Sequence, residues 1–421
     1  MRRLGIAFTA GVSLLAAACE AQPATGPQGE EEPSAASGPV RVGLLYTISD
    51  IGGEFAQAAL GASSLAVDDA KEDGFEIEVL DRDYAGSANR ARQLADELAT
   101  EGVAGIVVAS DDPALAPALA DFDAVPVVHA LLPDDGAVDA DAPTFRVAPS
   151  NGLQAEKLAD YLVGTRGYDR VAILHEDTPF GTEGALDMER ALSDQGAQVV
   201  MNQGFRVGAD IHTPITHAGQ LEADALILWT RDNGEAGRIT IEIHKADQGY
   251  QLVLSGNLAT FDYGKNAASQ VTPVAFRDGI LSVGTWAGPW FDLERMRGFY
   301  ERFRELNNVE APFQAVQVYD GILLLAQASR EAGGADPAAM TEALEQTQDF
   351  TAGGVPISFA PGDHEGVGLE DMAILAFTRD QLSAGGEFAP DISTGGGFFT
   401  VDTSTVRLPS ELSYLLEGLP A

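Results

Sequence analysis

The chain reads as an α/β protein of two lobes, each a mainly parallel sheet flanked by helices. Three observations carry that reading. At 421 residues it has room for two cores rather than one. Short apolar runs rich in β-branched residues alternate with helical patterns along most of its length. In the stretch DRVAILHEDTPFGTEG, which starts at Asp169, the run 171–174 reads as a buried strand and 175–180 as a polar loop, and Gly181 opens a long helical pattern. Strand, short loop, helix is the unit of a parallel sheet, and its loops line a crevice at the carboxyl ends of the strands.

The elements follow in order. Met1, Arg2 and Arg3 give a basic start, and 4–18 is a short apolar run ending in small residues. That is a secretory signal peptide, too short for a membrane span. Residues 20–39 hold almost no large apolar side chain and several Pro and Gly, so 19–39 reads as a disordered tether. At about 3.1 Å per residue when extended, it reaches up to roughly 60 Å. The first strand is 40–45, and a helix runs through Ala70 to a stop near Gly74. The second strand, 75–80, ends in Asp81-Arg82-Asp83. Ser87 caps a helix with Ala91, Leu94, Ala95 and Leu98 on one stripe, ended by Gly102. Strands 105–109 and 125–128 follow, with Asp112-Pro113 between them read as an N-cap and first-turn proline. Ser150 caps a helix over 152–163. Later strands fall at 171–174, 198–201, 225–229, 251–254 and 279–283, with a helix over 313–328.

Composition limits the partners. Acidic residues number 64 against 25 basic, for a net charge of −39. Four lysines, Lys71, Lys157, Lys245 and Lys265, make up the whole lysine complement. Nucleic acid and anionic membrane surfaces would be repelled. An acidic, lysine-poor surface suits a halophilic source, where salt screens self-repulsion, and also suits a generally acidic secreted protein. The one cysteine, Cys19, rules out an internal disulfide framework.

The segment HEDTPFG resembles the Y-E-D-x-x-F-G segment of the periplasmic binding proteins for branched-chain amino acids and their relatives, the substrate-binding subunits of ABC importers. Arg146 to Asn151 resembles the R-x-x-P-S-D crossing between lobes, Tyr319-Asp320-Gly321 the Y-D-A of a late helix, and 350–368 the terminal G-x-x-G-x-x-x-F-x-x-x-x-H-x-G segment. The likeness spans about Val40 to His364. It implies the type I fold with three hinge crossovers, one lobe from 40–148 and 280–334, the other from 149–279 and 335–405, with the third crossing near Gly333-Gly334. Residues 406–421 are left as a C-terminal tail. Ala16-Ala17-Ala18-Cys19 looks like a lipobox, which implies lipidation of Cys19 and a membrane-anchored periplasmic or cell-surface product. Ala16 stands where such motifs usually carry leucine, so a soluble periplasmic product stays open.

In this fold a small solute sits between the lobes, and the lobes close about a hinge. The implied contacts are Ser110, Asp111 and Asp112 after the third strand, Phe180 in the 175–180 loop, Trp229 at the end of the 225–229 strand with Asp232 or Arg231 beyond it to supply a charge, and Asn257, with weaker claims for Ser49 and Leu132. Each has a structural alternative. Asp112 can simply cap a helix, and Phe180 and Trp229 can be core. Two aspartates disfavour a carboxylate and suit an ammonium or hydroxyls. Asn257 stands where amino-acid binders carry an acid, which leaves a plain branched-chain amino acid in doubt.

Other chemistry lacks signals. The six histidines form no metal-ligand spacing, and no H-E-x-x-H, G-x-S-x-G, Walker or strand-linked G-x-G-x-x-G motif occurs. No catalytic residue, metal or cofactor is expected. The implied function is a solute-binding component that delivers its ligand to an ABC permease in the cytoplasmic membrane. The alternative is an outer-membrane lipoprotein or sensory regulator, similar to activators of peptidoglycan synthases, using the same fold without transport.

Overall fold

Val42, Leu44 and Leu45 of the first strand are fully buried although they point to opposite faces, as a strand covered by helices on both sides requires. In the computed structural model this strand, β1 (Val40–Tyr46), is an interior strand of a five-stranded parallel sheet. Its partners are β2 (Ile77–Asp83), β3 (Ile106–Ala109), β4 (Val127–His129) and β5 (Thr144–Arg146), in the order β2-β1-β3-β4-β5. The structure describes residues 38–49, 54–258, 280–285, 293–309, 311, 314–377 and 399–400. The expected leader, Cys19, the tether through Ser37 and the 406–421 tail lie outside these residues.

The second sheet has seven strands in the order β12-β11-β10-β9-β8-β6-β7. They are β6 (Arg170–Glu176), β7 (Gln198–Phe205), β8 (Ala225–Trp229), β9 (Gln251–Leu254), β10 (Ile280–Gly284), β11 (Ala373–Phe377) and β12 (Phe399–Thr400). All pairs are parallel except those made by β11, which runs antiparallel to both neighbours.

Helices cover both faces of each sheet. On the first, α1 (Glu54–Glu72), α8 (Leu293–Asn307) and α9 (Ala315–Glu331) lie on one side, and α2 (Ala88–Thr100) and α3 (Leu115–Leu119) on the other. On the second, α4 (Asn151–Ala159) and α5 (Pro179–Asp194) lie opposite α6 (His212–Gln220) and α7 (Asn233–Ala246). Two glycines set close approaches. A Cβ on Gly61 of α1 would lie 2.2 Å from the Phe303 ring, and one on Gly184 of α5 would lie 2.0 Å from the Trp229 indole nitrogen.

Several expectations hold in detail. Ser87 caps α2, whose buried residues are Ala91, Leu94, Ala95 and Leu98, and Ser150 caps α4. Others shift. Helix α5 starts at Pro179 rather than Gly181, because the Thr178 hydroxyl accepts the Gly181 N–H and proline suits the first turn. Asp112 takes the Ala114 N–H (3.0 Å) in a turn just ahead of α3, and is not its N-cap.

The crossings differ most. The strand at 280–284 pairs with β9 and β11, so it belongs to the second sheet and not to the first lobe. At Gly333-Gly334 the chain stays with the first lobe, because α10 (Pro337–Glu345) packs Met340 and Leu344 beside α9. The third crossing falls between Gly366 and Ala373. Residues 364–366 are stitched to β5 by Arg146 N–H to His364 O (3.0 Å) and Gly366 N–H to Arg146 O (2.8 Å). The Y-D-G residues explain this delay in part. Tyr319 donates to Asp69 (2.6 Å), and buried Asp320 accepts the N–H groups of Gly353 and Gly354 (2.7 and 3.0 Å), which pins the 350s to α9.

Arg146 locks the first and third crossings together. Its guanidinium has no solvent exposure, its Nε donates to Glu365 (2.8 Å), and its other nitrogens reach Glu365 and the carbonyls of Leu132 and Asp134. Replacing it strands a carboxylate and two carbonyls. Arg146→Gln is expected to lower unfolding stability by about 3–5 kcal/mol, read from urea melts of the parent and variant in the same salt.

Candidate functional site

The carboxyl ends of β3, β4, β6, β8 and β9 turn their loops toward the seam between the two sheets. Each loop is fixed by side chains that it spends locally. After β3, the Ser110 hydroxyl is buried 2.7 Å from the Tyr84 hydroxyl and accepts the Asp112 N–H (3.2 Å). After β6, buried Glu176 accepts the Thr230 hydroxyl (2.6 Å) and the Arg231 N–H (3.2 Å), which ties the β6 and β8 loops together. The Asn257 amide donates to the Thr230 carbonyl (2.9 Å) from the β9 loop. These bonds hold Arg231 on a stiff arm.

That arm crosses the seam. The Arg231 guanidinium lies 3.0 Å from the Asp111 carboxylate of the first lobe. Beside the pair is a cavity of about 70 Å³, with Leu131, Pro133, Gln314 and Gln317 from the first lobe facing Gln154, Phe180, Asn257 and Thr285 from the second. A cavity this small holds a few waters, whereas clefts that enclose a drug-sized ligand run to about 300–1,000 Å³. Its polar lining is mostly amide. The Asn257 Oδ1 is buried without a hydrogen bond, and the side chains of Gln314 and Gln317 make none within the described residues. Gln154 is committed, accepting the Gly256 N–H (2.9 Å) and donating to Pro149 O (3.3 Å).

A groove of about 590 Å³ shares Phe180 with the cavity and runs outward along the seam. Its walls carry Asp112, Asp134, Glu183 and Arg231 among prolines 113, 117 and 179. Glu183 of α5 faces Asp134 and Asp135 across the seam, with Asp187 on its own helix. Although the residue as a whole is exposed, partial burial of its carboxyl, a hydrogen bond to Asp134 and the nearby negative charges push it up to about 7. A larger groove, about 670 Å³, lies along the crossings and is lined by Asp135, Asp349, Asp363, Glu365, Glu370 and Asp371. Among the described residues no group of three or more acidic, histidine or cysteine side chains is placed to hold a metal ion.

The structure sorts the expected contacts. Asp111, Asn257 and Phe180 line the cavity, and Asp112 and Phe180 line the groove. Five others do not line either space. Ser49 is exposed beside Gly86, and Ser110 is consumed by Tyr84. Leu132 is core, and its neighbours Leu131 and Pro133 face the cavity instead. Trp229 is fully buried against Gly184 with its indole N–H unbonded, so it is packing. Asp232 caps α7 through the Glu235 N–H (2.9 Å), and the charge that this loop brings to the groove is that of Arg231. Gln154, Thr285, Gln314 and Gln317 escaped the sequence reading. Gln154 alone left a trace, as a polar residue on the otherwise apolar stripe of Ala155 and Leu158.

A sequence profile described as periplasmic binding protein matches residues 39–381. The chain belongs to that family. The periplasmic binding protein has the type I architecture, and solved structures agree with it. A type 1 periplasmic binding protein from Bordetella pertussis superposes with a TM-score of 0.68 at 17% identity, covering 83% of this chain and 98% of that one. The leucine-binding protein LivK of Thermotoga maritima gives 0.66 at 17% identity over 80% and 95%. A benzoate-bound solute-binding protein from R. palustris gives 0.65 at 18% over 80% and 93%. In sequence the chain is similar to Leu/Ile/Val-binding protein homolog 1 of Brucella abortus, 23% identical over 208 residues, 49% of this chain and 53% of that protein. It thus matches about half the length of these curated relatives.

The Glu183–Asp134 contact sets a pH dependence. The acid form is favoured in the folded state, so its contribution is complete below about 4.5 and is lost as pH rises through about 7. Glu183→Gln is expected to flatten the fall in melting temperature between pH 5 and 8, measured by thermal scans at constant salt. An unchanged slope would remove the contact from the pH response.

Proposed function

We propose that this periplasmic binding protein is the extracytoplasmic substrate-binding component of an ABC importer. It captures a small polar or amino-acid-like solute between its lobes and delivers it to a membrane permease. The observation that carries this reading is the convergence of Asp111, Leu131, Gln314 and Gln317 from one lobe with Phe180, Arg231 and Asn257 from the other. Contacts drawn from both lobes give a ligand a reason to prefer the closed arrangement, which is all that population shift requires. No covalent chemistry is needed. Amide groups around a paired charge suit a solute of small net charge with several hydrogen-bonding atoms, and Phe180 supplies the apolar wall. Solved relatives are described as binding leucine, isoleucine or benzoate, which are solutes of similar size. Processing at Cys19, lipidation there and a tether ending near Val40 would keep the binding protein at the outer face of the membrane within reach of its permease.

Native mass spectrometry of protein purified in high salt from its own host tests the reading. A discrete small adduct, lost on mild unfolding, is the expected result and gives the solute's mass. An empty protein that also shows no thermal shift across amino acids, amines, amides, sugars and aromatic acids would sink it and favour a regulator with the same fold. Phe180→Ala is expected to weaken retention of the adduct by on the order of 1–2 kcal/mol, or about tenfold in Kd, measured by isothermal titration.

A further inference from the structure

The cavity at the seam offers a solute little charge. Among the described residues that line it, Asp111 is the one titratable side chain, and its carboxylate already meets the Arg231 guanidinium at 3.0 Å. The other polar side chains on its walls are Gln154, Asn257, Thr285, Gln314 and Gln317, all of them uncharged. Gln154 is spent on both of its ends, on the Gly256 N–H and on the Pro149 carbonyl.

Asn257 is spent on one end only. Its Nδ2 donates to the Thr230 carbonyl (2.9 Å), and that carbonyl fixes which way round the amide sits, since the reverse setting would turn oxygen against oxygen. Its Oδ1 is left buried without a hydrogen bond. The backbone on either side is pinned as well. Gly256 N–H donates to Gln154 (2.9 Å), and Leu258 N–H donates to the Ser255 carbonyl (3.1 Å) with the Leu258 side chain fully buried. Even a Cβ on Gly256 would stand 2.7 Å from the Val283 carbonyl. A buried acceptor held this way gains most from a donor that is cheap to desolvate. A hydroxyl or an amide N–H meets that condition. An ammonium does not, because it would bring a whole charge to a wall whose one acid is already paired.

We propose that Asn257 sets the solute class: its Oδ1 accepts from an uncharged hydroxyl or amide N–H of the solute, and amines and α-amino acids are rejected. Gln314 and Gln317, facing it from the first lobe with unspent side chains, supply further neutral donors and acceptors. This assignment rests on the solute-binding reading and narrows it.

Probes that differ in that one group provide the test. Benzyl alcohol and benzamide are titrated calorimetrically against benzylamine, and the α-hydroxy analogue of leucine against leucine itself, using protein purified from its own host and dialysed in high salt. The solute released from the undialysed protein is treated with o-phthalaldehyde, which marks primary amines, and is fragmented in the mass spectrometer. The expected results are a hydroxyl or amide probe bound at least about tenfold more tightly than its amine counterpart, and a released solute that is unmarked and carries a hydroxyl or amide. Asn257→Ala is expected to weaken the hydroxyl or amide probe about tenfold and to leave the amine unchanged. Asn257→Asp, which places an acid there, is expected to reverse the preference. An amine bound as tightly as its counterpart overturns the assignment, and so does a released solute that carries an amine or lacks both hydroxyl and amide. Parent selectivity retained in Asn257→Ala overturns it too. Circular dichroism establishes that each variant is folded, and Asn257→Ala decides alone if the loss of the Thr230 bond unfolds Asn257→Asp. Preference for amines defeats this assignment and leaves the solute-binding reading standing, whereas no released solute and no bound probe defeats both.

Discussion

A guanidinium with no access to water holds this molecule's hinge together. Arg146 stands at the end of β5, where the chain first leaves the lower-numbered lobe, and it grips the strand of chain that returns there 219 residues later. Burying such a charge is costly unless every donor finds an acceptor. Here Glu365 and the carbonyls of Leu132 and Asp134 satisfy it. The same bonds fix the loop after β4, so Leu131 and Pro133 present a stiff wall to the cavity. The positive charge also reaches its neighbours. His129, fully buried on the adjacent strand, is driven down to about 3 by burial and by Arg146, and stays neutral in the core. On the outer side His364 stacks on Phe145 at 4.1 Å and bonds the Thr144 carbonyl, which seals the edge of the first sheet.

Much of the fold was legible in the sequence because buried parallel strands are continuous apolar runs. Residues 225–229 and 251–254 read as strands and are strands with those bounds. The α2 stripe was equally plain, since its period and its Ser87 cap agree. The crossings were not legible. They are set by pairings such as Arg146 with Glu365 and Asp320 with Gly353, between residues far apart in the chain, and no local pattern encodes them. The strand at 280–284 went to the wrong lobe for the same reason, because its apolar run says that it is buried but not against which neighbour.

The site was legible loop by loop and not residue by residue. The loops after β3, β4, β6, β8 and β9 each supply a residue to the cavity or the groove, whereas Ser49, after β1, lines neither. Which side chain in a loop faces the cleft depends on what the others are spent on. Ser110 has Tyr84, 26 residues away, and Asp232 has its own helix to cap, so their neighbours Asp111 and Arg231 are the ones that face outward. Trp229 misled because a tryptophan at a strand end suggests stacking on a ligand, and the glycine that makes room for it sits on another element.

That glycine has a mechanical meaning. With no side chain at Gly184, helix α5 rests directly on the Trp229 indole, and Phe180 sits one turn nearer the start of the same helix. The tryptophan therefore works as a shim: its thickness sets how far the aromatic wall of the cavity stands from the opposite lobe. A change of side chain at Phe180 alters the cavity wall locally, whereas a change of volume at position 229 would tilt the whole wall. The two aromatic residues thus divide the labour, one lining the cavity and the other setting how far that wall stands from the opposite lobe.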